Sequence, residues 1–523
     1  MRILSPQQLN WINGFAALGD AFHTRIEGSA LPQSNWLASS EITARHLGWS
    51  EDWRDWPGML EAMSAGQPLK GSIPLASVYS GHQFGTWAGQ LGDGRAMYLG
   101  EIETHHGSEE LQLKGSGPTP YSRRGDGRAV LRSSVREFLC SEAMVGLGIP
   151  TTRALALVNS PLSVWRETQE STAIVTRVAP SFIRFGHFEH FASIGDIGNL
   201  RTLADYTLRL KALNLGAFLG VDRLEDLRPN EQYLGFLKWM AHRYSQLISQ
   251  WQGVGFCHGV MNTDNMSALA LTIDYGPFQF MDAFDPNHIC NHTDTQGRYA
   301  FKRQPQVAYW NLFCLGQAFM SLINDSEPIV QALEHFKAQF PLETEKVYLA
   351  KLGLGEKSKA SHIKIQSADK AENTTPLLDS GVSLAEEILQ IMATQGVDHT
   401  ILWRTLSHAV KSLSQGNPSP WGPVRDLFID GSRLEPWLSA YEHALHMGDL
   451  AKSAQTMLNT NPKFVLRNHL GEIAIGQAKQ GDPSEIERLI NLLSSPFDEH
   501  PGFESYADHP PAWAKSIEIS CSS

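Results

Sequence analysis

The run His258-Gly259-Val260-Met261-Asn262-Thr263-Asp264-Asn265, followed by Ile273-Asp274-Tyr275-Gly276, restricts this chain more than any other feature. The amide oxygen of Asn265 and the carboxylate of Asp274 are hard donors of the kind a nucleotide-bound divalent ion takes. Asp264, beside Asn265, can accept a proton from an incoming hydroxyl if the fold brings the two within hydrogen-bond reach. Any single Asp here could equally cap a helix or close a turn. The conjunction of all these residues is far more specific than any member, whereas nearby Asp282 and Asp285 read as structural carboxylates.

The spacing is that of a protein-kinase catalytic loop, in which four residues separate His-Arg-Asp from Asn, seven positions from His to Asn, and a later Asp-Phe-Gly holds magnesium. His258 and Asn265 keep that offset, and Asp274-Tyr275-Gly276 replaces Asp-Phe-Gly. Val260 stands where the catalytic Asp belongs and can accept no proton. Two readings stay open: a dead nucleotide site, or different chemistry run by another carboxylate, with Asp264 the candidate.

Upstream residues supply what such a site needs. Gly89-Gln90-Leu91-Gly92-Asp93-Gly94-Arg95 lets backbone approach a phosphate and adds a charge, although an ordinary Gly-rich hairpin turn looks the same. No Gly-Lys-Ser/Thr ends it, so it is not a Walker A loop. Lys114 on a β-type run and Glu137 on the next helix match the pair that aims a Lys at phosphates. Arg123-Arg124-Gly125-Asp126-Gly127-Arg128 suits an anion, with Arg177 and Arg184 in reach of a triphosphate. Read blandly, each is a solvated surface group, but a local excess of Arg on a chain of net charge −12 favours the binding reading. His82 has no second metal ligand at useful spacing and reads as structural.

That same net charge argues against a general nucleic-acid binder. With 523 residues, 42% hydrophobic content, 14 Trp and 23 Phe, the chain can build two or three packed domains or one elaborated core. Five cysteines are too few for a disulfide scaffold. The first residues lack the apolar run of a signal peptide, and no stretch of about 18 apolar residues appears, so a cytoplasmic location without a membrane span is expected.

The periodicities predict an α+β fold: a kinase-like bilobal core with N- and C-terminal helical extensions. Residues 1–75 read as a mostly helical lead-in. Residues 76–195 read as the small lobe, with strands at Ala96–Ile102, Leu111–Lys114, Arg153–Val158 and Ala173–Val178 and a helix from about Ala129. Residues 196–420 read as the helical large lobe carrying the catalytic loop, with Gly355–Ser380 as an exposed loop. Residues 421–523 read as a helical extension, including a surface helix at Ser484–Leu493 and a short tail containing Cys521.

Ser80-Gly81-His82-Gln83-Phe84-Gly85, Leu113-Lys114-Gly115-Ser116-Gly117-Pro118-Thr119-Pro120-Tyr121-Ser122-Arg123 and the catalytic-loop run together resemble the SelO (YdiU) family. So do Asn461-Pro462-Lys463-Phe464-Val465-Leu466-Arg467-Asn468 and the terminal Ser520-Cys521-Ser522-Ser523, so the match spans nearly the whole chain. The resemblance implies a kinase-like fold once classed as a pseudokinase. It also implies transfer of AMP from ATP to Ser, Thr or Tyr hydroxyls of proteins, with the nucleotide inverted relative to kinases. Bacterial members are also linked to UMP transfer from UTP, favoured by manganese. Carried over by motif, Gly92, Gly94, Arg95, Lys114 (held by Glu137), Asp126, Gly127, Arg177, Arg184 and Asp274 would contact the nucleotide. Asp264 would be the proton acceptor, and Asn265 and Asp274 would hold Mg²⁺ or Mn²⁺. An inverted nucleotide also removes the need for a carboxylate at Val260.

Some animal members carry selenocysteine where Cys521 stands, with Cys three residues earlier; here that position is Glu518. A regulatory disulfide would therefore join Cys521 to a distant thiol, and Cys257 beside the catalytic loop is the expected partner. Ordinary γ-phosphoryl transfer by a relocated base, and an inert nucleotide-binding scaffold, are the competing readings. Retention of both Asn265 and Asp274 speaks against the scaffold.

Overall fold

A computed structural model describes residues 9–355 and 381–519; the segment expected to be a loop at 356–380 and the Cys521 tail lie outside them. The structure is mixed α+β, with a sheet in its N-terminal lobe and helices beyond, in agreement with the kinase-like expectation. The strands are β1 His23–Arg25, β2 Asn35–Ser39, β3 Leu75–Ser77, β4 Ser80–Gln83, β5 Thr86–Gln90, β6 Ala96–Thr104, β7 Gly107–Lys114, β8 Ala129–Val130, β9 Arg153–Trp165 and β10 Gln169–Ala179. Among the described residues, eight of these form one antiparallel sheet in the order β1-β3-β6-β7-β10-β9-β2, with β8 on β10. The remaining two, β4 and β5, pair as a separate hairpin.

Both faces of the sheet are covered, and strand alternation decides which residue meets which cover. Met97, Leu99, Leu111, Leu113, Ile174 and Val178 point to one apolar cluster, which Trp49, Trp53, Trp56, Met59 and Met63 complete. The intervening Tyr98, Ala173, Val175 and Ala179 join the other cluster, with Val135, Phe138 and Leu139 of the helix Leu131–Gly146. The expectation of a mostly helical lead-in over 1–75 is thus corrected. This segment adds β1, β2 and β3 to the sheet and lays only short helices, Glu41–His46 and Met59–Met63, over its face. Its Trp and Leu spacing suits a helix, but the residues serve as a lid on a sheet.

Beyond Ser193 the chain is largely helical, and the long helices Pro229–Val254 and Ser326–Lys351 pack on each other. The pairing of Phe256–Cys257 with Gln279–Phe280 closes the catalytic loop at its base. The helices Asn468–Ala478 and Ser484–Ser494 return to pack on Leu131–Gly146, so the C-terminal extension braces the helix that carries Glu137. At Gly146 a Cβ would sit 1.9 Å from the Leu493 carbonyl oxygen, so only glycine allows that approach.

The Asn461–Asn468 run is structural cement. Arg467, 1% exposed, spans Asp282 at 2.5 Å and Asp398 at 2.8 Å, and Asp398 also caps the helix His399–Ser414 through Ile401. Asn468 accepts from Arg136, whose other nitrogen donates to the Phe278 carbonyl at 2.8 Å. Asp282 is therefore structural, as expected; Asp285 accepts from the Asn287 N–H at 2.8 Å in a local turn.

Candidate active site

A cleft of about 520 Å³ opens between the sheet and the catalytic loop, and every nucleotide-contact residue expected from the motifs lines it, together with Asp264 and Asn265. Lys114 ends β7, and Arg177 lies opposite Gln112 in the adjacent β10, so both project from one face. Glu137 meets the Lys114 ammonium at 2.6 Å and Arg177 at 3.2 Å. The strand–helix pair read from spacing is thus formed.

Three cations converge on Asp274. Its carboxylate pairs with Arg177 at 2.6 Å, with Arg184, and with Lys114 at 3.4 Å. Burial pushes this carboxyl upward, but Arg184, Arg177 and Lys114 outweigh it and hold the group well below the usual carboxylate range. Burial lowers Lys114, opposed by Glu137 and Asp274. Asp274 itself adopts a left-handed backbone, φ 57°, which Asp tolerates better than most residues. His258 fixes the approach to it: the buried ring stacks on Trp251 and its Nε2 meets the Ile273 carbonyl at 2.9 Å.

Asp264 occupies different surroundings. It is 7% exposed, and Gln83 donates to Oδ2 at 3.0 Å while Oδ1 is buried without a hydrogen bond. Arg184 grips its backbone carbonyl at 2.6 Å. Burial pushes the carboxyl up to about 6, against the pull of Gln83 and Arg184. A carboxylate with one idle oxygen and a raised pKa is equipped to take a proton near neutral pH. Val260 lines the same cleft with an apolar side chain, and its carbonyl accepts from Asn265 Nδ2 at 3.0 Å.

That last bond decides the fit of a metal. With its NH₂ spent on Val260, Asn265 keeps its amide oxygen for another partner. Asn265 and Asp274 offer an all-oxygen donor set in one cleft, which suits Mg²⁺ or Mn²⁺ and not a soft ion, and leave the idle oxygen of Asp264 for a proton.

The Gly-rich loop is shaped by neighbours that spacing did not reveal. A Cβ on Gly92 (φ 126°) would meet the Tyr121 ring at 2.5 Å. Asp93 is buried beneath the loop and accepts from the Ser77 N–H at 2.9 Å and its hydroxyl at 2.6 Å. Asp126 is held by both guanidinium nitrogens of Arg166, each at 2.8 Å, so this carboxylate presents a paired charge at the cleft rim. Gly127 fits against the Gly117 carbonyl, where a Cβ would sit at 2.0 Å.

A family model described as protein adenylyltransferase SelO matches residues 6–494. The chain belongs to the SelO family. Similar proteins of this nucleotidyltransferase family include one from Albidiferax ferrireducens, named protein nucleotidyltransferase YdiU, 53% identical over 98% of this chain and 97% of that protein. Proteins of the same name from Variovorax paradoxus (52%, covering 98% and 97%) and Cupriavidus pinatubonensis (47%, covering 98% and 94%) are similar over comparable lengths. The SelO chain is accordingly an enzyme of the nucleotidyltransferase class.

Three residues of this site escaped the sequence reading. Gln83 sits in the Ser80–Gly85 run but carried no assigned role, and Tyr121 likewise lay inside a quoted motif. Arg166 had no signal, because it comes from the β9–β10 turn. Cys257 is fully buried, donates to the Tyr299 carbonyl at 3.5 Å and adjoins Cys290, which in turn contacts its backbone. Among the described residues, no helix is long and apolar enough to cross a membrane.

Proposed function

We propose that this enzyme transfers AMP from ATP to Ser, Thr or Tyr hydroxyls of proteins and releases pyrophosphate, with UTP as a second donor in the presence of Mn²⁺. The observation that carries the reading is Asp264, a buried carboxylate with a raised pKa and an idle oxygen, lining the same cleft as the three cations held on Asp274 while Val260 fills the kinase base position.

In this mechanism Lys114, Arg177 and Arg184 leave part of their hold on Asp274 for the phosphates of the incoming nucleotide, and Glu137 keeps Lys114 and Arg177 aimed. Gly92 and Gly94 bring backbone close to the phosphates, and Arg95 and the Asp126-Gly127 turn border them. Asn265 and Asp274 would hold the divalent ion, which supplies neutralisation of phosphate charge. Asp264 accepts at Oδ1 the proton of the attacking hydroxyl as the hydroxyl oxygen bonds to the α-phosphorus and the bond from that phosphorus to pyrophosphate breaks. Positioning and charge account for most of the acceleration.

Two results follow. Because the pKa of Asp264 is raised to about 6, the acceptor is protonated below that pH, so the transfer rate should fall as pH drops through about 6. A flat profile through this range would contradict the assignment. Peptide mass mapping of protein modified in the presence of ATP should place an adenylyl mass on hydroxyl side chains. A phosphoryl mass alone would transfer the case to the kinase reading.

A further inference from the structure

The fold brings to His82 the ligands that its sequence neighbourhood lacks. β4 carries His82, the helix Phe185–Ser193 carries Glu189, and the helix Gln304–Ala318 carries Cys314. One nitrogen, one oxygen and the sulfur of these three all lie within 4.8 Å of one another. His82 Nδ1 is 2.6 Å from Glu189 Oε1. Glu189 is 5% exposed, and its Oε2 is buried without a hydrogen bond of normal geometry. The cluster borders a cavity of about 560 Å³ that shares no lining residue with the nucleotide cleft. Trp87 and Trp310 stand edge-on to the His82 ring, at 5.0 and 5.3 Å.

We infer that His82, Glu189 and Cys314 bind a divalent transition-metal ion of the zinc class, with a fourth position open to this cavity. Mixed nitrogen, oxygen and sulfur donors select Zn²⁺ or Co²⁺ over Mg²⁺, and three protein ligands with a free position make an accessible site, not a closed structural one. On binding, the ion replaces the proton shared by His82 and Glu189, and the Cys314 thiol releases its proton to solvent. The adjoining residue, Gln83, holds Asp264, and the His82 N–H donates to the Thr263 hydroxyl at 2.7 Å. The ion therefore sits directly behind the hairpin that braces the catalytic loop, without touching the nucleotide site.

The test uses the full-length protein, stripped with chelator and titrated with Co²⁺ in excess Mg²⁺, which occupies the all-oxygen site. A thiolate-to-cobalt charge-transfer band and tetrahedral visible bands should saturate at one equivalent and vanish on adding Zn²⁺, while Trp fluorescence is quenched on Co²⁺ binding. Cys314→Ser should abolish the charge-transfer band and Cys257→Ser should keep it. In the unmodified protein, Zn²⁺ should protect Cys314 from alkylation at least tenfold, a readout independent of variant folding. Absence of the band, its persistence in Cys314→Ser, or unprotected Cys314 overturns the site.

Discussion

Asp264→Asn should bind nucleotide as the parent enzyme does and transfer it about 10²–10⁴-fold more slowly, the usual share of a positioned general base. The change is nearly isosteric, and an Asn carbonyl can still accept from Gln83, which now reaches Oδ2 at 3.0 Å. What disappears is the proton-accepting oxygen, the buried Oδ1. Because Arg184 holds this residue by its backbone carbonyl at 2.6 Å, the loop geometry does not depend on the side-chain charge. The decisive comparison is single-turnover rate against nucleotide Kd. A large loss in rate with unchanged Kd supports the role, whereas parental rates would remove Asp264 from the chemistry. In this variant the acid limb near pH 6 should vanish as well.

Asp274→Ala should abolish transfer and also remove the stimulation of nucleotide binding by Mg²⁺ or Mn²⁺. This substitution costs the fold too. Arg177 and Arg184 are 2% and 3% exposed, and each loses a carboxylate partner. Breaking a buried ion pair on one side costs about 3–5 kcal/mol. Glu137 still holds Lys114 and Arg177, so the lower half of that range is expected, with the charge left on Arg184 as the main cost. Chemical denaturation measures this cost, and metal-dependent nucleotide titration measures the functional loss. Full activity in Asp274→Ala would sink the metal-ligand assignment.

The parts of the site legible in the sequence are those set by short-range offsets or by order along the chain. Asn265 and Asp274 come from one loop, and Lys114 and Glu137 come from a strand and the next helix, so spacing alone suggested both pairs. The four strands and the helix expected between Ala96 and Val178 are present, although β9 and β10 run longer at their shared turn. Residues 9–75 misled because β1 to β3 are only three to five residues long, too short for a period-two signal, while Trp49, Trp53 and Trp56 mimic a helix stripe. Long-range partners were illegible for a simpler reason. Arg166 meets Asp126 across 40 residues, and Glu189 meets His82 across 107, so only folding brings them together.

The central claim is nucleotidyl and not phosphoryl transfer. The enzyme is incubated with a protein acceptor, Mg²⁺ and ATP labelled in parallel at the α- or the γ-phosphate, and the label bound covalently to protein is counted. The account predicts α-label on protein, with γ-label leaving as pyrophosphate. Attachment of γ-label would contradict it and make this cleft that of a kinase.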